Sequence, residues 1–145
     1  MCKFISIDPG KSKCGLVLAE IREKKIYQAI ILKSELLEGY VRNLNNVENI
    51  SKIIIGNGTT SGEISKKMDF FKKEIIIFEE KNTTYRAKAR YFEFFPVSGL
   101  RCLIPREIFI LNKNLDAISA LIILEDYFQR KFIFNQNVDL KTWLR

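Results

Sequence analysis

Apolar and polar positions along this chain predict a run of early strands followed by alternating strands and helices. Lys3–Asp8 (KFISID) reads as a strand that stops at Pro9-Gly10, a turn pair. Cys14–Glu20 and Lys25–Leu32 are β-rich runs separated by the charged Ile21-Arg22-Glu23-Lys24, the layout of a hairpin. Ser34–Asn45 carries Leu37, Tyr40, Val41 and Leu44 at helical spacing. Lys52–Gly56 (KIIIG) and Glu74–Phe78 (EIIIF) are short uninterrupted apolar runs, as expected of strands buried on both faces. Between them, Thr60-Ser-Gly-Glu63 has capping-box spacing and opens a helix with Ile64, Met68 and Phe71 inward. Thr83 or Thr84 is placed to cap a helix running to Phe95 and stopped by Pro96. Leu115–Arg130 is a further helix, with Ile118, Leu121, Leu124 and Phe128 on one stripe. Ser98–Leu111 is apolar but irregular, and the tail from Lys131 to Arg145, with Trp143, fits no element. Antiparallel strands followed by strand–helix–strand units imply an α/β fold: a mixed sheet with helices on its faces.

Composition narrows the chemistry. With 145 residues, 47% hydrophobic and 28% charged, the chain is expected to form one domain over 1–145. Its first residues have no signal-peptide layout, and apolar runs such as Ala120–Leu124 are too short to span a bilayer. A cytoplasmic protein without a membrane partner is the expectation. Three scattered cysteines and no histidine argue against a disulfide framework or a structural zinc site. The absence of histidine also removes Ser-His-Asp, Cys-His and histidine general-base mechanisms. Carboxylates, lysines, hydroxyls or bound metal ions are left to do any catalysis. A net charge of +7 favours a polyanionic partner, because neutralised phosphates release counterions.

Three acidic positions stand where such chemistry would gather. In open α/β sheets, ligands bind beyond the carboxyl ends of the central parallel strands. Asp8 ends the first predicted strand, Glu79-Glu80 follow Glu74–Phe78, and Asp116 lies in the first turn of the last long helix. Each has a simpler reading as well: a turn residue, a solvated strand end, and a carboxylate at a helix N-terminus. Taken together they suggest convergence. Carboxylates so gathered would resist joint ionisation, and a divalent cation with oxygen ligands removes that conflict.

The residues assembled here resemble the YqgF/RuvC-like branch of the RNase H-like superfamily. The matching segments are Ile5-Ser-Ile-Asp8-Pro-Gly10-Lys-Ser-Lys-Cys-Gly15, then Ile75-Ile-Ile-Phe-Glu79-Glu80-Lys-Asn-Thr-Thr84-Tyr-Arg-Ala87, then the helix opening Leu115-Asp116-Ala-Ile-Ser-Ala120. They stand in the family's order and nearly span the chain. The resemblance implies an RNase H-like fold with a five-stranded mixed sheet, three antiparallel strands then two parallel, flanked by helices. It implies a metal-dependent nuclease using Mg2+ or Mn2+, with Asp8, Glu80 and Asp116 as catalytic metal ligands and Glu79 as the alternative to Glu80. Departures are Glu79-Glu80-Lys81 for the family's Asp-Glu-Arg, Ile55-Gly56-Asn57-Gly58-Thr59-Thr60 for its Gly-Leu-Pro, and Lys113 at a resolvase acidic position.

Lys113 favours a ribonuclease on structured RNA, with precursor 16S ribosomal RNA and ribosomal precursor particles as implied partners, over a Holliday junction resolvase on branched DNA. A non-catalytic nucleic-acid-binding or ribosome-binding module is the rival of another class. Candidate nucleic-acid contacts are Lys11, Lys13, Thr59, Thr60, Lys81, Thr84 and Arg86, all near the acids in sequence or by placement on the predicted elements. A monomer or a homodimer fits equally.

Overall fold

The computed structural model describes residues 2–45, 47–105 and 115–133. Lys113, Asn114, the second half of the apolar stretch Ser98–Leu111 and nearly all of the tail with Trp143 lie outside the described residues. Strand β1 (Lys3–Asp8) pairs antiparallel with β2 (Lys13–Glu20), which pairs antiparallel with β3 (Lys25–Lys33). On its other side β1 pairs parallel with β4 (Ile50–Gly56), and β4 pairs parallel with β5 (Glu74–Phe78). The sheet order is β3-β2-β1-β4-β5, three antiparallel strands continued by two parallel ones, the arrangement that the family resemblance implied.

Period-two alternation assigns the two faces of this sheet. Ile5 and Ile7, with Leu16, Leu18, Ile53 and Ile55, pack against α1 (Leu37–Arg42) and α2 (Ser61–Lys67) through Leu37, Val41 and Ile64. Phe4, Val17, Ala29, Ile31 and Ile54 form the opposite core with α4 (Asp116–Phe128). Helix α4 is buried continuously from Ala117 to Glu125, because α3 (Thr83–Phe94) covers the side turned away from the sheet through Ala87. No described helix is long and apolar enough to cross a membrane.

Several local expectations are corrected. The segment Ser34–Asn45 splits into a 3-10 turn, Ser34–Leu36, and the short α1. Helix α2 starts at Ser61, but Thr60 makes no capping hydrogen bond; its hydroxyl is buried instead of facing the first turn. Asn82, in the left-handed region with φ 55°, precedes α3, so Thr83 is the helix's first residue and neither threonine caps it. That helix ends at Phe94, one residue before the predicted Phe95. The strand β5 is not buried on both faces: it is the edge of the sheet, and Ile77 is 47% exposed. Helix α4 is shorter at both ends than Leu115–Arg130, with Leu115 and Gln129 as its caps.

Candidate active site

The carboxyl ends of β1 and β4 and the N-terminus of α4 meet because two glycines leave room. Asp8 is paired in register with Gly15 of β2, on the sheet face that α4 covers. A Cβ on Gly15 would lie 2.7 Å from the Ala117 nitrogen and closer still to the Asp116 carbonyl, so only glycine lets α4 settle there. The first residue of that helix is Asp116, which is thereby brought over Asp8. Gly56, the last residue of β4, plays the same part for Glu80. A Cβ there would stand 2.9 Å from Glu80 Oε1, nearer to Oε2, and 2.8 Å from Ile123 Cδ1. Glu80 therefore folds back from the end of β5 over β4, whereas its neighbour Glu79 is exposed.

The turn that carries Asp8 is fixed from the opposite edge. Ser34 Oγ donates to the Gly10 carbonyl at 2.7 Å, and Ser34 N to the Ser12 carbonyl at 3.0 Å. The far side of the site is held by α3–α4 ion pairs. Arg86 forks onto both carboxylate oxygens of Asp126, and Arg90, largely buried, donates to Glu125 Oε1 at 2.7 Å and to the Phe132 carbonyl at 2.9 Å.

Electrostatics register the convergence. The Asp8 carboxyl is pushed up from 3.8 to about 7, first by burial, then by the negative charge of Asp116 and that of Glu80. Glu80 is also raised, by burial and then by Asp126. Glu80 Oε2 and Asp116 Oδ2 are buried and accept no hydrogen bond from any described residue. The Lys13 ammonium lies 3.5 Å from Asp116 Oδ2, long for a charge-assisted hydrogen bond.

Among the described residues, no three His, Cys, Asp or Glu side chains are arranged to hold one metal ion together. The donor set nevertheless suits hard cations: oxygen ligands only, two buried carboxylate oxygens that accept no hydrogen bond from the described residues, and a third acid raised first by burial and then by the charges of the other two.

The remaining predicted contacts are dispersed. Lys11, Thr59, Lys81 and Thr84 are exposed, Thr60 is buried, Lys13 pairs with Asp116, and Arg86 pairs with Asp126. Asp126, which raises Glu80, went unnoticed in the sequence. It reads as one more solvated helix charge, and its pairing with Arg86 spans 40 residues.

Sheet order and strand direction define an RNase H-like fold, here with an acidic cluster at the carboxyl end of its first strand. No family model matches the sequence, and no curated protein matches it. Among solved structures the chain is similar to RuvC of T. thermophilus in complex with Holliday junction substrate, at 8% identity and a TM-score of 0.48. That match covers 90% of this chain and 99% of the other. So distant a likeness transfers neither ligand nor activity; the fold class follows from the topology itself.

Proposed function

We propose that this chain is a divalent-metal-dependent endonuclease, a phosphodiester hydrolase acting on structured nucleic acid through one domain over residues 1–145. The observation that carries the reading is the room that Gly15 and Gly56 leave for Asp116 and Glu80 at the end of the sheet where Asp8 closes β1. Evolved stability alone gives no reason to bury mutually repelling acids around two glycines that make room for them. In this reading Asp8, Glu80 and Asp116 would hold the ions. When bound, Mg2+ or Mn2+ supplies Lewis acidity at the phosphorus and acidifies water at neutral pH.

The protein's own groups do the rest. Asp8 would face the ions as a carboxylate from the carboxyl end of β1. Lys13, already beside Asp116, supplies an ammonium next to the acids that can face a phosphate oxygen. Lys11, Lys81, Thr59 and Thr84 are exposed and available for backbone contact. Arg86 serves through Asp126, holding α3 against α4 behind Glu80. We take RNA, with precursor 16S ribosomal RNA as the test case, over branched DNA because Lys113 stands where a resolvase carries its additional acidic residue.

The test is Mg2+- and Mn2+-dependent cleavage of labelled precursor ribosomal RNA and of a synthetic four-way DNA junction, with wild type beside Asp8→Asn. Metal-dependent cutting of the RNA that disappears in a folded Asp8→Asn protein supports the reading. Preferential cutting of the junction moves the assignment to a resolvase. Salt-dependent binding without cutting of either makes the chain a non-catalytic binding module, and cutting undiminished in Asp8→Asn overturns the acid assignment.

A further inference from the structure

Beside the acids, at the ends of β2 and β3, lies an arrangement that the fold itself does not need. The register sets Lys13 of β2 directly opposite Lys33 of β3. Both belong to the alternating set that includes Val17, Ala29 and Ile31, so both point to the α4 face, the face of Asp8. The row Asp8–Gly15–Ile31 crosses the sheet, and the row Lys13–Lys33 lies next to it, two residues further out. Two residues along a strand is about 7 Å, and directly opposed side chains start about 5 Å apart. Like charges in that relation weaken a sheet. One half of the pair is compensated, since Lys13 faces Asp116 at 3.5 Å. Lys33 is exposed at the strand end, with the exposed Glu35 two positions on and the exposed Lys11 across the turn.

The row is also pre-positioned. The two hydrogen bonds of Ser34, the residue after Lys33, tie the end of β3 to Gly10 and Ser12 in the turn that follows Asp8. The lysines and Asp8 therefore move as one unit. The opposite side of the site differs. There Glu79 is exposed beside Glu80, Asp126 lies behind them, Arg86 and Arg90 are engaged by Asp126, Glu93 and Glu125, and Lys131 by Glu93, while Lys81, Lys88 and Arg130 are exposed. A polyanion meets paired charge and carboxylates from that side. From the β3 side it meets lysines.

We propose that Lys13 and Lys33 form a phosphate track along which a nucleic-acid strand reaches the acidic site across the ends of β2 and β3. The proposal rests on the nuclease reading above and adds a direction of approach and a residue, Lys33, that no sequence motif marked. The partner is a sugar–phosphate backbone, contacted without base readout.

The test is equilibrium binding of a fluorescent single-stranded RNA and of a four-way DNA junction in EDTA, from about 50 to 200 mM salt. Wild type is compared with Lys33→Met, Lys13→Met/Lys33→Met, and Lys72→Met, an exposed lysine before β5 at the other end of the sheet. Each lost phosphate contact flattens the log–log salt slope by about 0.7 on a single strand or about 0.9 on duplex. The expected result is one such step for Lys33→Met, two for the double variant and none for Lys72→Met. A Lys33→Met melting temperature at or above wild type excludes damage to the fold. Wild-type binding with an unchanged slope in Lys33→Met overturns the track and leaves the nuclease reading standing. Equal losses in Lys33→Met and Lys72→Met also overturn it, since they mark diffuse charge attraction. If wild type binds neither probe, the track and the nuclease reading fall together.

Discussion

Replacing Asp8 by Asn should make the metal-free protein more stable, and the gain should depend on pH. The folded-state pKa of Asp8 is raised from 3.8 to about 7, so the folded protein holds this proton more tightly than the unfolded chain. Below pH 4 both states are protonated and Asp8 costs nothing. Between pH 4 and 7 the unfolded chain ionises first, and wild type loses stability as pH rises. Above pH 7 the full penalty applies. From 3.8 to about 7, at 1.36 kcal/mol per pH unit, the ceiling is about 4 kcal/mol. Relaxation of the site should leave about 2–4 kcal/mol, and at roughly 2–4 °C per kcal/mol for a domain of this size Asp8→Asn should melt about 5–15 °C above wild type at pH 8. At pH 4 the two should coincide, because Asn mimics the protonated acid. Glu80, also raised, acts in the same direction in both proteins. The assay is thermal denaturation in EDTA by circular dichroism from pH 4 to 8, repeated with Mg2+. Mg2+ should raise the wild-type melting temperature at pH 8 and leave Asp8→Asn nearly unmoved. A variant no more stable than wild type at pH 8, or a difference that does not change with pH, would refute the account of mutual repulsion.

Four further outcomes follow from the packing. Gly15→Ala should cost more than about 2 kcal/mol, because the new Cβ meets α4 backbone that has no way to yield, and denaturant titration reads it directly. Gly39→Ala, with nothing within 4 Å of its Cβ inside α1, should instead stabilise by about 0.5–1 kcal/mol in the same titration. Gly56→Ala pushes on the flexible end of Glu80 more than on backbone, so a near-normal melt should accompany loss of Mg2+-dependent cleavage. Glu125→Gln removes one of the two anionic partners of the largely buried Arg90, with Glu93 remaining, and should cost about 1–3 kcal/mol, read in the same melts without any change in metal response.

The sheet was legible in the sequence where local pattern decides structure. The turn pairs, the hairpin and the apolar runs gave five strands in a mixed sheet, and the arrangement of three antiparallel strands then two parallel came from the resemblance to the RNase H-like superfamily. Burial was not local. KIIIG and EIIIF carry the same three isoleucines, yet Ile53, Ile54 and Ile55 are wholly buried while Ile77 is about half exposed. Only position in the sheet separates them. The caps failed for a similar reason: Thr60 and Thr83 have the right chemistry at the right spacing, but the backbone enters their helices through other geometry. Asp8 and Gly15 were readable as one motif because their spacing follows from hairpin register. Lys33 and Asp126 were not, since their partners lie on other elements and no periodicity announces them.

Burial of α4 on the sheet side and on the α3 side also shapes how the chain is made. During synthesis all five strands leave the ribosome before residue 116, so one face of the sheet waits without its cover. Phe4, Val17, Ala29, Ile31 and Ile54 are then open to water and to other nascent chains. Closure comes with α4, and the same step delivers Asp116 to Asp8. In the interval between those two events the apolar face is uncovered and the acidic site lacks Asp116.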